Sequence, residues 1–177
     1  MKRWMFLLLI GLTLFISACN EETKQPEENA DHHAHMDHEM DGGEAPKGIK
    51  AADDPAFPIG SEVIIHADHM SGMEGSEGTV VGAYDTTTYS VTYTSSDGEK
   101  IENHKWVVQE ELKSPEQEYA VGDTVELLAS HMEGMEGAEA TIDTVETATV
   151  YMVDLTTLDG QELKNHKWIL ERELSSK

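Results

Sequence analysis

Residues 69–75 read His69-Met70-Ser71-Gly72-Met73-Glu74-Gly75, and residues 131–137 read His131-Met132-Glu133-Gly134-Met135-Glu136-Gly137. The same offset of 62 extends outward without a gap. Residues 59–112 overlay 121–174 with about 23 identities in 54 positions. Asp97-Gly98 matches Asp159-Gly160, and Asn103-His104-Lys105-Trp106 matches Asn165-His166-Lys167-Trp168. The chain is a tandem duplication, and two copies are too few for a solenoid.

Each copy reads as short strands. Val63, Ile65 and Ala67 alternate with polar or variable positions, as do Val125, Leu127 and Ala129. Further strands are predicted over 79–83 and 141–145. Tyr89, Val91 and Tyr93 share one face of a third, mirrored by Tyr151, Val153 and Leu155. The last strand carries His104, Trp106 and Val108, all of one parity, and likewise His166, Trp168 and Leu170. Asp97-Gly98 and Asp159-Gly160 supply the positive-φ pair of a tight hairpin. The opening pattern, Ile59-Gly60 followed by Gly75 and Thr79-Val80, is similar to SH3-like barrels of the KOW type, a likeness of fold that carries no function. The expected architecture is all-β: two tandem small SH3-like (KOW-type) barrel repeats, 57–113 and 119–177, after a disordered N-terminal tether. Lys113 to Glu118, with Pro115, is the expected hinge.

Charge narrows the function classes. The 177 residues carry 12 Lys+Arg against 35 Asp+Glu, a formal net charge of −23. Nucleic-acid binding needs clustered Lys and Arg, and so does electrostatic attachment to an anionic membrane. Neither fits. Aromatic residues make up 6% of the chain, whereas nine His and nine Met stand at regular places.

The N-terminus is an export signal. Lys2 and Arg3 precede an apolar run from Trp4 to Ile16, too short for a comfortable membrane span. It ends in Ile16-Ser17-Ala18-Cys19, which resembles the bacterial lipobox, and Cys19 is the only cysteine. The resemblance implies removal of residues 1–18 and lipidation of Cys19. The mature chain then sits on the membrane by its acyl chains, facing outside the cytoplasm, with no disulfide to rely on.

Residues 19–56 read as an acidic linker that buries too little to offset its conformational entropy. It holds His32, His33, His35, Met36, His38 and Met40. Imidazole suits copper, zinc and nickel, while thioether selects cuprous ion, so a short tract of this kind reads as metal binding. A solvated linker with idle histidines is the plain alternative.

Each repeat carries a second donor set: His69, Met70, Met73 and His104 in one copy, His131, Met132, Met135 and His166 in the other. Glycines at 72 and 75 let adjacent side chains turn toward one centre. Imidazole with thioether is a soft, low-charge set that fits Cu(I) far better than calcium or magnesium, with Cu(II) or zinc as alternatives. Trp106 and Trp168 are placed for cation–π contact with a bound ion. Small periplasmic copper carriers of β-barrel type use similar residue types. Structural roles compete with each assignment: Trp as core, Met as gap-filler, His104 and His166 as loop-orienting groups. Glu74, Glu77, Glu136 and Glu139 read as hard ligands or as a solvated acidic rim.

Lipobox, His/Met-rich linker and duplicated His-Met-x-Gly-Met-x-Gly and Asn-His-Lys-Trp motifs together resemble the YdhK family of bacterial lipoproteins. Within it, the CopL type binds copper at the cell surface. The resemblance implies a non-enzymatic protein that sequesters copper outside the membrane for copper tolerance, with copper-export machinery as a possible partner. The competing expectation is a tandem SH3-like interaction module that binds a cell-envelope partner or glycan.

Overall fold

A computed structural model describes residues 40–177 of the chain. In chain order the elements are β1 (Met40–Asp41), β2 (Lys50–Ala51), β3 (Glu62–Ile65), β4 (Glu77–Thr94) and β5 (Lys100–Val108). A 3₁₀ turn (Gln109–Glu111), β6 (Thr124–Glu126) and β7 (Glu139–Thr156) follow. Then come β8 (Glu162–Leu170), a second 3₁₀ turn (Glu171–Glu173) and β9 (Leu174–Ser176). The signal peptide, Cys19, His32, His33, His35, Met36 and His38 lie outside the described residues.

The strands expected at 79–83 and 89–93 are one strand of 18 residues, and so are their counterparts in the second copy. Thr, Tyr and Val dominate both runs, and no proline interrupts either. β4 and β7 pair antiparallel along their length, from Glu77↔Thr156 through Asp85↔Thr149 to Tyr93↔Ala140. The first half of each long strand therefore lies on the second half of the other.

That register decides the cores. Val63, Ile65 and Met73 of the first repeat pack with Tyr151, Val153 and Ile169 of the second. Tyr89, Val91 and Val107 of the first pack with Val125, Leu127 and Met135 of the second. A third cluster joins Trp106 and Val108 to Val150, Met152, Trp168 and Leu170. The cores do not follow the boundaries 57–113 and 119–177. The repeats are units of sequence, and each hydrophobic cluster is shared between them.

All nine strands belong to one branched sheet, running β1-β8-β7-β4-β3-β9, with β2 and β5 also on β4 and β6 on β7. The all-β class and the duplication stand; the sheet is not closed into a barrel, because each long strand leaves its own repeat to pair with the other. Two smaller expectations also change. In the hairpins only Gly98 and Gly160 take positive φ, while Asp97 and Asp159 do not. The expected disorder does not reach residue 56. β1 pairs parallel with β8, β2 pairs with Asp85 and Tyr84, Ala45 and Ile49 pack on the third cluster, and Phe57 packs on the first. Composition misses this because the order comes from backbone pairing with edges already present. The expected hinge is tied down as well, since Gln109 Nε2 donates to the carbonyls of Pro115 and Gln117, each at 2.8 Å.

Shared cores predict that residues 57–113 expressed alone are either unfolded or folded only as an intertwined dimer. Light scattering with amide NMR checks this, and a folded monomer would contradict it.

Candidate functional site

Two irregularities in the ladder aim the duplicated histidines. Against β4, register shifts fall on both sides of the Val91↔His104 pair; against β7 they flank Val153↔His166. Such bulges bend a strand and redirect a side chain. Asn103 and Asn165 sit at φ 51° and 49°, the left-handed region that Asn tolerates better than most residues. This accounts for the Asn of the duplicated Asn-His-Lys-Trp motif.

His69 and His131 come from the loops that follow β3 and β6. Gly72 has φ +74°, and a Cβ there would meet Asp159 Oδ1 at 2.9 Å. Leu158 N donates to its carbonyl at 2.8 Å. Gly134 stands in the same relation to Ser96, whose N–H donates to the Gly134 carbonyl at 3.1 Å. Each His-Met-x-Gly-Met loop is thus seated against the hairpin of the other repeat.

Behind the histidines lie two carboxylates that the sequence reading passed over. Glu111 accepts from His131 Nε2 at 2.8 Å, from Trp168 Nε1 at 2.9 Å and from Val108 N at 3.2 Å. Glu173 accepts from His69 Nε2 at 3.3 Å, from Trp106 Nε1 at 3.1 Å and from Leu170 N at 3.0 Å. Each Glu serves the His of the opposite repeat. Burial pushes both carboxyls up, yet the bonds they accept, those from the histidines foremost, hold them below the ordinary carboxylate value. Both are therefore ionised at neutral pH. Their signal was identity at the offset of 62, hidden among 35 acids.

An ionised carboxylate only accepts, so His131 and His69 present Nε2–H to it and Nδ1 is the ring nitrogen it leaves unengaged. Four buried ring nitrogens have no hydrogen-bond partner among the described residues: His69 Nδ1, His131 Nδ1, His104 Nε2 and His166 Nε2. Burial, followed by the neighbouring His131 and His69, holds His104 down to about 4. Burial, followed by His69, His131 and His104, does the same for His166. Two unprotonated imidazoles thus stand beside two that are oriented by carboxylates. Carboxylate–imidazole pairs of this kind fix the tautomer and raise the basicity of metal-ligating histidines. Among the described residues, no group of three or more His, Cys, Asp or Glu is arranged to hold a metal ion.

The remaining expected donors fall elsewhere. Met73 is sealed in the first cluster and Met135 in the second, Met70 packs on the first, and the half-exposed Met132 has its Sδ 3.9 Å from the Tyr93 hydroxyl. Met40 lies in β1. The cation–π partners in the structure are side chains of the chain itself. Lys105 Nζ is 5.8 Å and Arg172 5.4 Å from the Trp106 ring, and Lys167 Nζ is 5.9 Å from Trp168.

The depressed histidines make stability depend on pH. From the ordinary 6.5 down to about 4 the unfolded chain takes up protons at His104 and His166 that the folded chain refuses. Stability is full above that window and falls as pH drops through it, by on the order of 3 kcal/mol per histidine. The melting temperature should fall steadily on acidification, and His104→Gln with His166→Gln should flatten the decline. A melting temperature that holds constant through the window would contradict burial of neutral rings.

Comparison with known proteins places these features in a family. The family described as "Protein of unknown function (DUF1541)" matches residues 59–109 and 121–171. A curated relative, "Uncharacterized protein YdhK" of Bacillus subtilis (strain 168), is 45% identical over 180 residues, spanning 97% of this chain and 87% of that protein. A crystal structure of the B. subtilis DUF1541 protein ydhK superposes with TM-score 0.75 at 50% identity, covering 82% of this chain and all of that one. The solution NMR structure of the ydhK C-terminal domain gives TM-score 0.65 at 53% identity, over 68% of this chain and 94% of that one. The finer resemblance to the copper-binding CopL type gains no support from these relatives. With both repeats matched and a relative aligned over nearly its whole length, the chain belongs to the DUF1541 family, with YdhK as a homologue.

Proposed function

We propose that this chain is a lipid-anchored protein outside the cytoplasm that binds and sequesters copper, Cu(I) by preference. The observation that carries the reading is the set of four buried, partnerless ring nitrogens on His69, His104, His131 and His166. Leaving a polar atom buried without a partner costs about 1–3 kcal/mol, so four at duplicated positions favour a ligand over accident. Imidazole nitrogens backed by carboxylates suit a borderline or soft ion, and copper would supply the bond energy that offsets their burial. The His/Met tract at 32–40 would capture ions ahead of the folded part. Lipid on Cys19 would hold both near the membrane surface.

Anaerobic Cu(I) competition titration of the mature chain tests this. Replacing the four clustered histidines with Gln should weaken binding at least tenfold, while changing Met73 and Met135 to Leu should leave affinity alone and cost under about 1.5 kcal/mol of stability. Metal bound by the native state alone should also raise the melting temperature. Unchanged affinity in the histidine variant would remove the folded part from the metal role. For the anchor, Cys19→Ser should abolish palmitate labelling and release the protein into the medium.

A second reading keeps the tandem SH3-like interaction module, binding an envelope partner or glycan. It is favoured by Ile59 and Val121, which are repeat-equivalent and exposed at 71% and 65%. Under it, partner binding would be indifferent to copper and sensitive to Ile59→Ser with Val121→Ser.

A further inference from the structure

The repeat relates the four partnerless nitrogens two by two, His104 with His131 and His166 with His69, each couple drawn from both repeats. The rings of His104 and His131 lie with centroids 5.8 Å apart and planes tilted by 40°. One comes from the bulge of β5 in the first repeat, the other from the loop after β6 in the second. The offset of 62 turns this pair into His166 and His69. The electrostatics follow the same pairing, since His131 bears on His104 before the other histidines do, and His69 on His166.

Each pair has its own carboxylate. Glu111 holds His131 and the Trp168 N–H, and Glu173 holds His69 and the Trp106 N–H. In each pair the loop histidine offers Nδ1 and the bulge histidine Nε2. An imidazole nitrogen stands about 1.1 Å from its ring centroid and bonds a late first-row ion at about 2 Å, so two rings gripping one ion in line sit about 6 Å apart. The observed separation of His104 and His131 matches that span.

Donor number and charge then select the ion. Zinc takes four ligands, and no third His, Cys, Asp or Glu is arranged with either pair among the described residues. A filled-shell monovalent ion is satisfied by two in-line nitrogens. The surroundings already hold cationic groups: Lys167 Nζ is 4.0 Å from Glu111, and Arg172 lies over Trp106. With these cations already beside the carboxylates, a monovalent ion adds less uncompensated charge than a divalent one.

We infer that the chain carries two equivalent two-coordinate sites for a soft monovalent cation, Cu(I) or Ag(I): His104 Nε2 with His131 Nδ1, and His166 Nε2 with His69 Nδ1. The inference rests on the metal-binding reading above and goes further in number, geometry and charge of the ion. It also makes the duplication functional, since neither repeat alone contains a complete site.

The test uses the full mature chain with its tract silenced by His32, His33, His35 and His38→Gln and by Met36 and Met40→Leu. Cu(I) is titrated anaerobically against a chromophoric chelator, and the loaded protein is examined by X-ray absorption at the copper edge. Two equivalents per chain are expected, with a first shell of two nitrogens and no sulfur. His104→Gln should reduce this to one equivalent and leave the ring ¹⁵N shifts of His69 and His166 responsive to metal. The absorption measurement needs no cluster substitution, so a misfolded variant does not blunt the test. A single equivalent per chain, a four-nitrogen shell or a sulfur scatterer would overturn the paired sites and leave copper binding standing. No Cu(I) retained by this variant but Cu(I) retained by the unaltered mature chain would overturn the inference and leave the tract as the metal site, and no Cu(I) retained by either would overturn the reading as well.

Discussion

The antiparallel pairing of β4 with β7 is the constraint on which the rest of the molecule depends. Its register, Glu77↔Thr156 at one end and Tyr93↔Ala140 at the other, relates the two repeats by a local two-fold. Every shared feature follows from that relation. β3 and β9 come from opposite ends of the chain and pair as Val63↔Ser176, while Leu112 bridges Leu127 at the equivalent place. Antiparallel pairing of strands this distant in sequence carries a loop-closure cost. Burial of aromatic and β-branched side chains on both sides of the ribbon offsets it, with Tyr89 and Tyr151 almost wholly enclosed.

The second constraint is the pair of carboxylates, Glu111 buried and Glu173 partly so. Removing an ionised Glu from water costs several kcal/mol unless donors replace the water. Glu111 and Glu173 each collect an imidazole N–H, an indole N–H and a backbone N–H, and charge-assisted bonds of this type are the strong ones. The indoles of Trp106 and Trp168 therefore do two jobs at once, filling the third cluster with their rings and tethering a carboxylate with Nε1. Their roles as core residues and as neighbours of a donor site are the same role seen from two sides.

Much of this was legible in the chain. Alternation at Val63, Ile65 and Ala67 placed β3, and the Asp-Gly steps placed both hairpins, because periodicity and turn chemistry are local. The recurrence at 62 residues singled out His69, His104, His131 and His166, but it grouped them one set per repeat, whereas His104 lies beside His131 of the other repeat. What local pattern cannot carry is which partner a strand chooses. The short strands of each repeat fit a closed barrel as well as an exchange of halves, and only the unbroken run from 77 to 94 hinted at the latter. Met73 and Met135 were ambiguous for a related reason. A thioether beside a glycine-rich loop reads equally as ligand or filler, and only the fold shows that both side chains are enclosed in the clusters. Glu111 and Glu173 were invisible because their meaning lies in three donors from distant positions.

The symmetry is then broken in one place, and the break bears on the site. Residues 40–57 have no second copy, and they run along the second repeat's side of the local two-fold. β1 pairs with Leu163 and Lys164, Asn165 Nδ2 donates to Asp41 at 2.9 Å, and Lys167 Nζ donates to the Glu44 carbonyl at 2.9 Å. The Asn-His-Lys-Trp segment holding His166 is strapped on its outer edge, whereas β5 beside His104 pairs only with β4 among the described residues. A free edge opens more readily than a covered one, since local unfolding follows the number of hydrogen bonds that must break. The two donor pairs thus share their chemistry but differ in how the strand edge beside them is bonded.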